Sequence, residues 1–396
     1  MHVVMVTNTI APDKLGGIER YVRELSAQLV RHGISVTVVA KRTAPEQLDD
    51  EVFSDGVRVR RYSPPSKSDP LFALRYPMAI VGGVRKTIAA ARADGDGVPT
   101  VVHGHFPVPM LAFASGRTPY VHTCHAPVYK EILSERQDSY ALPAPVRRMA
   151  VAGLRASERL VLRRARRVIT LSDFVRREVA LLDAGVGEKV DLIPGGLDTT
   201  WFTPDSGRVV SAGAPCLFTA RRLVDRTGVE LLVDAMPRVL EHFPSARLYI
   251  AGTGPRGRAI EDSIRRRDIG DSVQLLGHVS ELELRDWYRR ADVAVTPTKD
   301  LEGFGLSTAE ALACGTPAFV TPVGANQEVV AELSPLLVAP SATAEGIAKG
   351  LLDLLASDQL PTLRAASRAH VHPRFSWQDV AARHFPIYES ILGEAR

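Results

Sequence analysis

Short β-branched, apolar runs recur along the chain, each followed by a longer amphipathic stretch. In the first half the runs are Val3–Thr7, Ser35–Ala40, Val57–Tyr62, Thr100–His105, Tyr120–His125 and Arg167–Leu171. In the second half they are Cys216–Ala220, Arg247–Ala251, Val273–Leu276, Val293–Thr296 and Pro317–Thr321. Near-continuous apolar runs suit strands covered on both faces, and the helix-length segments between them supply the covering layers. The pattern predicts an α/β protein of two domains, each a doubly wound parallel sheet. Between the two sets of strands lies Pro204–Gly213, within TPDSGRVVSAGAP, rich in Pro, Gly and Ser and without helical period. It sets the expected boundary, with residues 1–205 as the first domain and 206–374 as the second. The last amphipathic run, Phe375–Leu392, opens with a capping Ser376 and spaces Trp377, Val380, Phe385, Tyr388 and Leu392 as a helix does. It follows a complete second set of strands, so residues 375–396 are expected to cross back onto the first domain. Ligands of doubly wound sheets bind beyond the carboxyl ends of the strands. Two such domains facing across a cleft would hold a nucleotide on one wall and its reaction partner on the other.

Composition narrows the ligand rather than the fold. The 396 residues, 45% hydrophobic and 24% charged, are ordinary globular material for two domains. A formal net charge of +4 suits phosphate-bearing ligands or an anionic surface. The excess is modest and the basic residues lack interleaved aromatics, which argues against nucleic acid. Cys124, Cys216 and Cys314 show no metal-ligand spacing, and their odd number fits free thiols in a reducing compartment. No apolar run is long enough to cross a bilayer, and MHVVMVTN reads as a buried strand rather than a leader. The expected location is the cytoplasm.

Three segments place polar chemistry at strand ends. In IAPDKLGGIERY, Gly16 and Gly17 stand between the first strand and its helix. Paired glycines there let backbone N–H groups approach a phosphate at the helix N-terminus, although a plain surface loop has the same composition. In LFTARRLVDRTGV, Arg221, Arg222 and Arg226 follow the first strand of the second domain. An arginine fork at that place can hold a diphosphate bidentately; a solvated basic turn is the plainer reading. In PTKDLEGFGLSTAEALACGTP, a loop bearing Glu302, Gly303, Phe304 and Gly305 leads into a helix that carries Glu310. One carboxylate beside a row of amides can grip the hydroxyls of a pyranose. Glu310, about two turns further on, can accept both hydroxyls of a ribose while repelling a phosphate. A capping glutamate and a surface glutamate would look similar, but the Gly-Phe-Gly between them favours close backbone approach.

The run EGFGLSTAEALACGTP resembles the donor-site signature of retaining glycosyltransferases of family 4, the glycosyl transferases group 1, whose GT-B fold pairs two Rossmann-like domains. RRLVDRTGVELLVDA is similar to that family's Arg-Leu-(x)3-Lys-Gly element. IPGGLDTTWFTP resembles its interdomain segment, IAGTGP its Gly-rich turn and VGANQE its second Gly turn before an acid. The motifs run in order over nearly the whole chain. The resemblance implies that Gly16 and Gly17 contact the donor phosphates and that Arg222, with Arg221 or Arg226, holds the diphosphate. It implies that Glu302, with Gly303, Phe304, Gly305 and Leu306, grips the donor sugar and that Glu310 takes the ribose. His125, in YVHTCHAP, takes the place of the family's histidine near the anomeric centre. Ser172 and Arg177, in TLSDFVRRE, match an element lining the cleft, and with Glu19 and Tyr129 they form the acceptor-side set.

There are two departures. The family's usual lysine is Thr227 here, so Arg221 or Arg226 must supply the charge that a leaving diphosphate needs. Ala325 stands where a second glycine is common. What the resemblance implies is a retaining, metal-independent transfer from a nucleotide diphosphate sugar, UDP- or GDP-linked, with no bound cofactor. The sequence agrees in having no Asp-x-Asp motif at the carboxyl end of a strand. The irregular segments Ser63–Pro77 and Cys124–Pro145 suit a small polar acceptor such as an aminocyclitol, and Glu131, Glu135 and Asp138 would favour a cationic one. The arginines of Arg147–Arg167 allow instead a membrane lipid acceptor of phosphatidylinositol or polyprenyl type with peripheral membrane contact, or they form only a solvated basic face. A non-catalytic nucleotide-sugar-binding protein is the further alternative that Thr227 keeps open. The expected state is a monomer or a homodimer.

Overall fold

The computed structural model describes residues 1–14, 16–65, 72–95, 97–114, 116, 118–135, 144–205 and 214–394. Of the acceptor-side segments, residues 66–71, the side chain of Glu135, and Asp138 lie outside them, as does most of the expected interdomain linker. The chain divides into two compact units: Met1–Tyr129, Ala141–Gly196 and Trp377–Arg396 form the first, and Lys130–Tyr140 with Leu197–Ser376 the second.

In the first unit the strands are β1 (His2–Val6), β2 (Ser35–Lys41), β3 (Asp50–Val52), β4 (Arg58–Tyr62), β5 (Thr100–Gly104), β6 (Tyr120–Cys124), β7 (Arg167–Thr170) and β8 (Val190–Leu192). They form one sheet in the order β3-β4-β2-β1-β5-β6-β7-β8. Every pairing is parallel except that of β3 with β4. The central β1 is buried along its whole length, as a strand covered on both faces requires. The helices are α1 (Gly17–Arg31), α2 (Phe72–Ala93), α3 (Pro107–Ala114), α4 (Val128–Glu135, grouped with the second unit from Lys130 on), α5 (Ala144–Arg164) and α6 (Asp173–Leu182). The hydrophobic pattern did not reveal β3 and β8. Each has three residues, and neither is fully buried, so neither interrupts the polar background with an apolar run.

The second unit has β9 (Cys216–Ala220), β10 (Arg247–Ala251), β11 (Val273–Gly277), β12 (Val293–Thr296) and β13 (Ala318–Val320), all parallel, in the order β11-β10-β9-β12-β13. Its helices are α7 (Val229–His242), α8 (Gly257–Arg266), α9 (Glu281–Arg290), α10 (Leu306–Ala313), α11 (Asn326–Val330), α12 (Ala344–Leu355) and α13 (Leu360–Val371). The two doubly wound sheets anticipated from the run pattern are both present. In each, the strand order reverses beside the first strand: between β1 and β5 in the first unit, and between β9 and β12 in the second. Those reversals open a crevice at the carboxyl ends of the strands, where open α/β sheets take ligands.

The last helix, α14 (Trp377–Glu394), packs on α1 and β5 of the first unit. Its inner face meets an unusual group of buried imidazoles. His103 Nδ1 lies 2.8 Å from the Tyr388 hydroxyl and its Nε2 lies 2.7 Å from Thr123 Oγ1. His384 Nδ1 donates to the Val380 carbonyl at 2.7 Å, which leaves Nε2 of a neutral ring as the acceptor for the Tyr21 hydroxyl at 3.3 Å. His103, His105, His122 and His384 are all buried.

Burial lowers the pKa of these rings, to about 4 for His384 and about 3 for His122, and well below the ordinary value for His103 and His105. In the unfolded chain each returns to about 6.5. As pH falls the unfolded state therefore binds protons first. The stabilisation is complete above about pH 6.5 and is lost progressively toward the folded values. Urea unfolding between pH 7.5 and pH 5 should show stability falling by up to about 1.4 kcal/mol per pH unit for each titrating histidine. A flat profile over that window would mean that the rings are not held neutral by burial.

Candidate active site

The second unit brings its motif segments together at the β9–β12 reversal. Beyond β9 the chain runs through Arg221 and Arg222 into a single 3-10 turn, Asp225–Thr227. Gly228 closes the turn in the left-handed conformation with φ +70°, and a Cβ there would stand 1.8 Å from the Pro297 carbonyl oxygen. Only glycine permits both the backbone angle and the contact. Lys299 and Asp300 donate their backbone N–H groups to Arg226 O at 2.8 and 3.1 Å, and Arg226 Nη1 donates to Leu301 O at 3.2 Å. Arg222 is exposed at the start of this turn.

Thr227, where the resemblance leads one to expect lysine, is buried, and its hydroxyl lies 2.8 Å from Arg222 O and 2.7 Å from Val224 O. Its side chain ties the turn together. Lys299 provides a cation at the same corner, its ammonium 3.0 Å from both carboxylate oxygens of Asp225. Nothing in the run pattern marked that lysine; its backbone bond to Arg226 O and its ion pair with Asp225 bring it to the turn.

Glu302 sits in the loop after β12. Its Oε2 accepts from Arg221 Nη2 at 2.6 Å, and its backbone carbonyl accepts from Ala325 N at 2.9 Å. The second contact comes from the Gly324–Ala325 turn. A Cβ on Gly324, whose φ is +66°, would lie 2.7 Å from Glu302 Cβ and O. Gly303 follows, then Phe304, buried edge-on against Phe375 at 5.3 Å. Gly305, left-handed at φ +91°, is the N-cap residue of α10, and Leu306 is the helix's first residue. Glu310 is 5% exposed, and the buried Tyr288 hydroxyl donates to its Oε2 at 3.5 Å. Burial and then the Glu310 charge raise the Tyr288 pKa well above that of a free phenol, which keeps it a hydrogen-bond donor. Glu310 is therefore not a surface glutamate.

In the first unit, Gly16 has extended backbone and Gly17 opens α1. The Glu19 carboxylate, expected on the acceptor side, is buried and bound within its own loop, accepting from Thr9 Oγ1 at 2.5 Å and Lys14 Nζ at 3.0 Å. Arg61, buried on β4, clamps Asp13 of the same loop through Nε at 2.8 Å and Nη2 at 3.0 Å. Sequence reasoning missed this arginine because Arg60 and Arg61 look alike until the sheet face is known.

His125 follows β6 directly. It is half-buried, with Nε2 3.3 Å from His105 Nδ1 and its ring edge-on to Tyr21 at 4.8 Å. Burial pushes its pKa down to about 3, so at neutral pH it is an uncharged hydrogen-bonding group. Tyr129 lies under the Arg155 guanidinium, 5.6 Å from its ring centre. Ser172 caps α6 by accepting from Val175 N at 3.1 Å, and Arg177 is exposed on that helix. On α5, Arg159 and Arg163 both pair with Asp183, at 3.0 and 3.1 Å, which partly neutralises the basic face.

Among the described residues, no helix is long and apolar enough to cross a membrane, and no three His, Cys, Asp or Glu side chains group as a metal site.

Two doubly wound units with arginines, glycines and carboxylates at their reversal points have the build of enzymes that use nucleotide sugars. Residues 209–369 match the family model described as Glycosyl transferases group 1, and residues 15–201 match Glycosyltransferase Family 4. The chain is 30% identical to the D-inositol 3-phosphate glycosyltransferase of Kineococcus radiotolerans, over 94% of this chain and 90% of that one. It is 29% identical to the phosphatidyl-myo-inositol mannosyltransferase of Mycolicibacterium smegmatis, over 96% and 92% of the two chains. Sucrose-phosphate synthase from Thermosynechococcus elongatus shares the fold with a TM-score of 0.79, at 23% identity over 100% of both chains. The chain belongs to glycosyltransferase family 4. It is a nucleotide-sugar-dependent glycosyltransferase of the GT-B fold.

The packing of Gly324 on Glu302 gives a direct test. Gly277 also has positive φ, +70°, but a Cβ there meets nothing within 4 Å. Both Gly324→Ala and Gly277→Ala incur the backbone strain, about 1–2 kcal/mol; only Gly324→Ala also displaces the Glu302 loop. Gly324→Ala should thus lose more thermal stability than Gly277→Ala and should alone weaken nucleotide-sugar binding in calorimetry. Equal behaviour of the two variants would contradict the close approach.

Proposed function

We propose that the protein transfers a hexose from a UDP- or GDP-linked donor to a ring hydroxyl of a cyclitol-type polyol, with retention of anomeric configuration and without a bound metal ion or cofactor. The observation that carries the donor half is the knitting of the Arg222–Arg226 turn to the Glu302 loop at the β9–β12 reversal. It gathers cations for a diphosphate, a carboxylate for the sugar and a second carboxylate, Glu310, for the ribose into one corner of one unit. The cyclitol half is supported by the names of the two relatives above, both of which carry inositol, once as a phosphate and once as a lipid.

As the glycosidic bond breaks, negative charge grows on the leaving phosphate oxygen. Arg222, with Arg226 beside it, offsets that charge and needs little rearrangement to do so. The acceptor hydroxyl attacks from the face that the diphosphate leaves, and its proton passes to the departing phosphate oxygen. No protein base is required. His125, held neutral, orients a hydroxyl by hydrogen bonding. Glu310, already accepting from Tyr288, offers its carboxylate to the ribose.

The test is a donor–acceptor matrix of UDP-glucose, UDP-N-acetylglucosamine and GDP-mannose against myo-inositol, inositol 3-phosphate and phosphatidylinositol vesicles. Nucleoside diphosphate release is followed, and the product anomer is read by proton NMR. A product with the donor's anomeric configuration is expected on one of these acceptors, and turnover should survive EDTA. An inverted product, or activity lost to EDTA and restored by Mg²⁺ or Mn²⁺, would overturn the mechanism. Product on phosphatidylinositol alone would assign the lipid acceptor. Arg222→Ala should lower kcat by roughly 10²-fold or more while KM for the donor changes far less, because the contact strengthens only in the transition state. A kcat within about twofold of wild type would remove Arg222 from the mechanism and favour a binding protein without turnover.

A further inference from the structure

We propose that Arg221 is a positioning residue for the sugar-gripping carboxylate, not a ligand of the donor phosphates; the proposal rests on the donor reading above. A guanidinium has five N–H donors, and a bidentate grip on phosphate uses a fork that includes at least one Nη2 hydrogen on either of its usual edges. In Arg221 both Nη2 hydrogens are committed, to Glu302 Oε2 at 2.6 Å and to Thr298 Oγ1 at 3.3 Å. Nη1 donates to Ser307 Oγ at 3.1 Å. The side chain is only 10% exposed. What remains, Nε and one Nη1 hydrogen, does not make a fork.

The pairing has a backing layer. Thr298 is fully buried and accepts from Asn326 Nδ2 at 2.9 Å, while Asn326 Oδ1 accepts from Thr308 Oγ1 at 3.0 Å. The Arg221 backbone is held by Ala251 O, which accepts its N–H at 2.9 Å. The chain Asn326–Thr298–Arg221–Glu302 thus runs from α11 through the loop after β12 to the carboxylate, and every link is a hydrogen bond. Of the two Glu302 oxygens, Oε2 is occupied by Arg221, and Oε1 has no protein partner among the described residues. Oε1 is the atom left for a sugar hydroxyl. Arg221 therefore decides which oxygen grips the sugar. It also neutralises a carboxylate that must work close to a diphosphate; breaking a poorly hydrated pair of this kind leaves its partner uncompensated.

The experiment compares each nucleoside diphosphate with its sugar conjugate by calorimetry, using UDP with UDP-glucose and GDP with GDP-mannose. Repulsion from an unpaired Glu302 acts on both members of a pair, so the ratio of their dissociation constants isolates the sugar contact. In Arg221→Gln the preference for the sugar conjugate should fall by about tenfold, the scale of one charge-assisted hydrogen bond. Glu302→Gln should give a similar fall, and the double variant should be no worse than either single one. Arg221→Lys, which keeps the charge but not the fork, should lie between wild type and Arg221→Gln. An unchanged ratio in Arg221→Gln, or a loss shared equally by the diphosphate and its conjugate, would overturn the proposal; the shared loss would make Arg221 a phosphate ligand. Should Arg221→Gln not fold, Arg221→Lys decides by the same ratio. Wild-type protein that binds neither pair would instead overturn the donor reading itself.

Discussion

The second unit depends on how closely three loops approach one another at the carboxyl ends of β9, β12 and β13. The Pro297 carbonyl lies where a side chain at Gly228 would be, and the Glu302 backbone lies where one at Gly324 would be. Such contacts are open only to glycine. They leave these loops so near together that the Arg221 guanidinium, in the loop after β9, bonds Thr298 and Glu302 in the loop after β12. The side chains of Arg221, Glu302, Thr298 and Asn326 are held at this corner by hydrogen bonds to one another.

The same corner carries positive charge although Thr227 stands where the resemblance leads one to expect lysine. Thr227 has become part of the structure of the turn, bonded inward to Arg222 O and Val224 O. Positive charge is supplied by residues around it: Arg222, exposed at the turn's entry, Arg226, tied to Leu301 O, and Lys299, paired with Asp225. Electrostatic stabilisation of a leaving diphosphate depends on where the charge stands and much less on which position of the chain supplies it.

In the first unit the constraint is of another kind. The rings of His103, His105 and His384 occupy the layer between the sheet and α14, His122 is buried on the opposite face of the sheet, and burial holds all four neutral. The His103–Tyr388 bond fixes the last helix to the sheet and the His384–Tyr21 bond fixes it to α1, by directed contacts as well as by apolar packing. His125, at the open end of the group, inherits the same low basicity, which suits it to orienting a hydroxyl and not to carrying charge.

Periodicity was enough to reveal the two doubly wound sheets and the amphipathic last helix, because strands covered on both faces must be apolar throughout and a helix face must repeat every three or four residues. The glycines and carboxylates of 297–310 were also legible, since a short motif is local and its spacing survives in one dimension. β3 and β8 were not, being three residues long and polar enough to pass for loop. Nor could the sequence distinguish Arg221 from Arg222. Adjacent residues at a strand end face opposite ways, and which one turns inward to Glu302, 81 positions away, is decided by strand order and the register of β9 against β12. The burial of Glu19 and Glu310 was hidden for the same reason. A carboxylate's partners are chosen in space, and Thr9, Lys14 and Tyr288 become partners only once the strands and helices have packed.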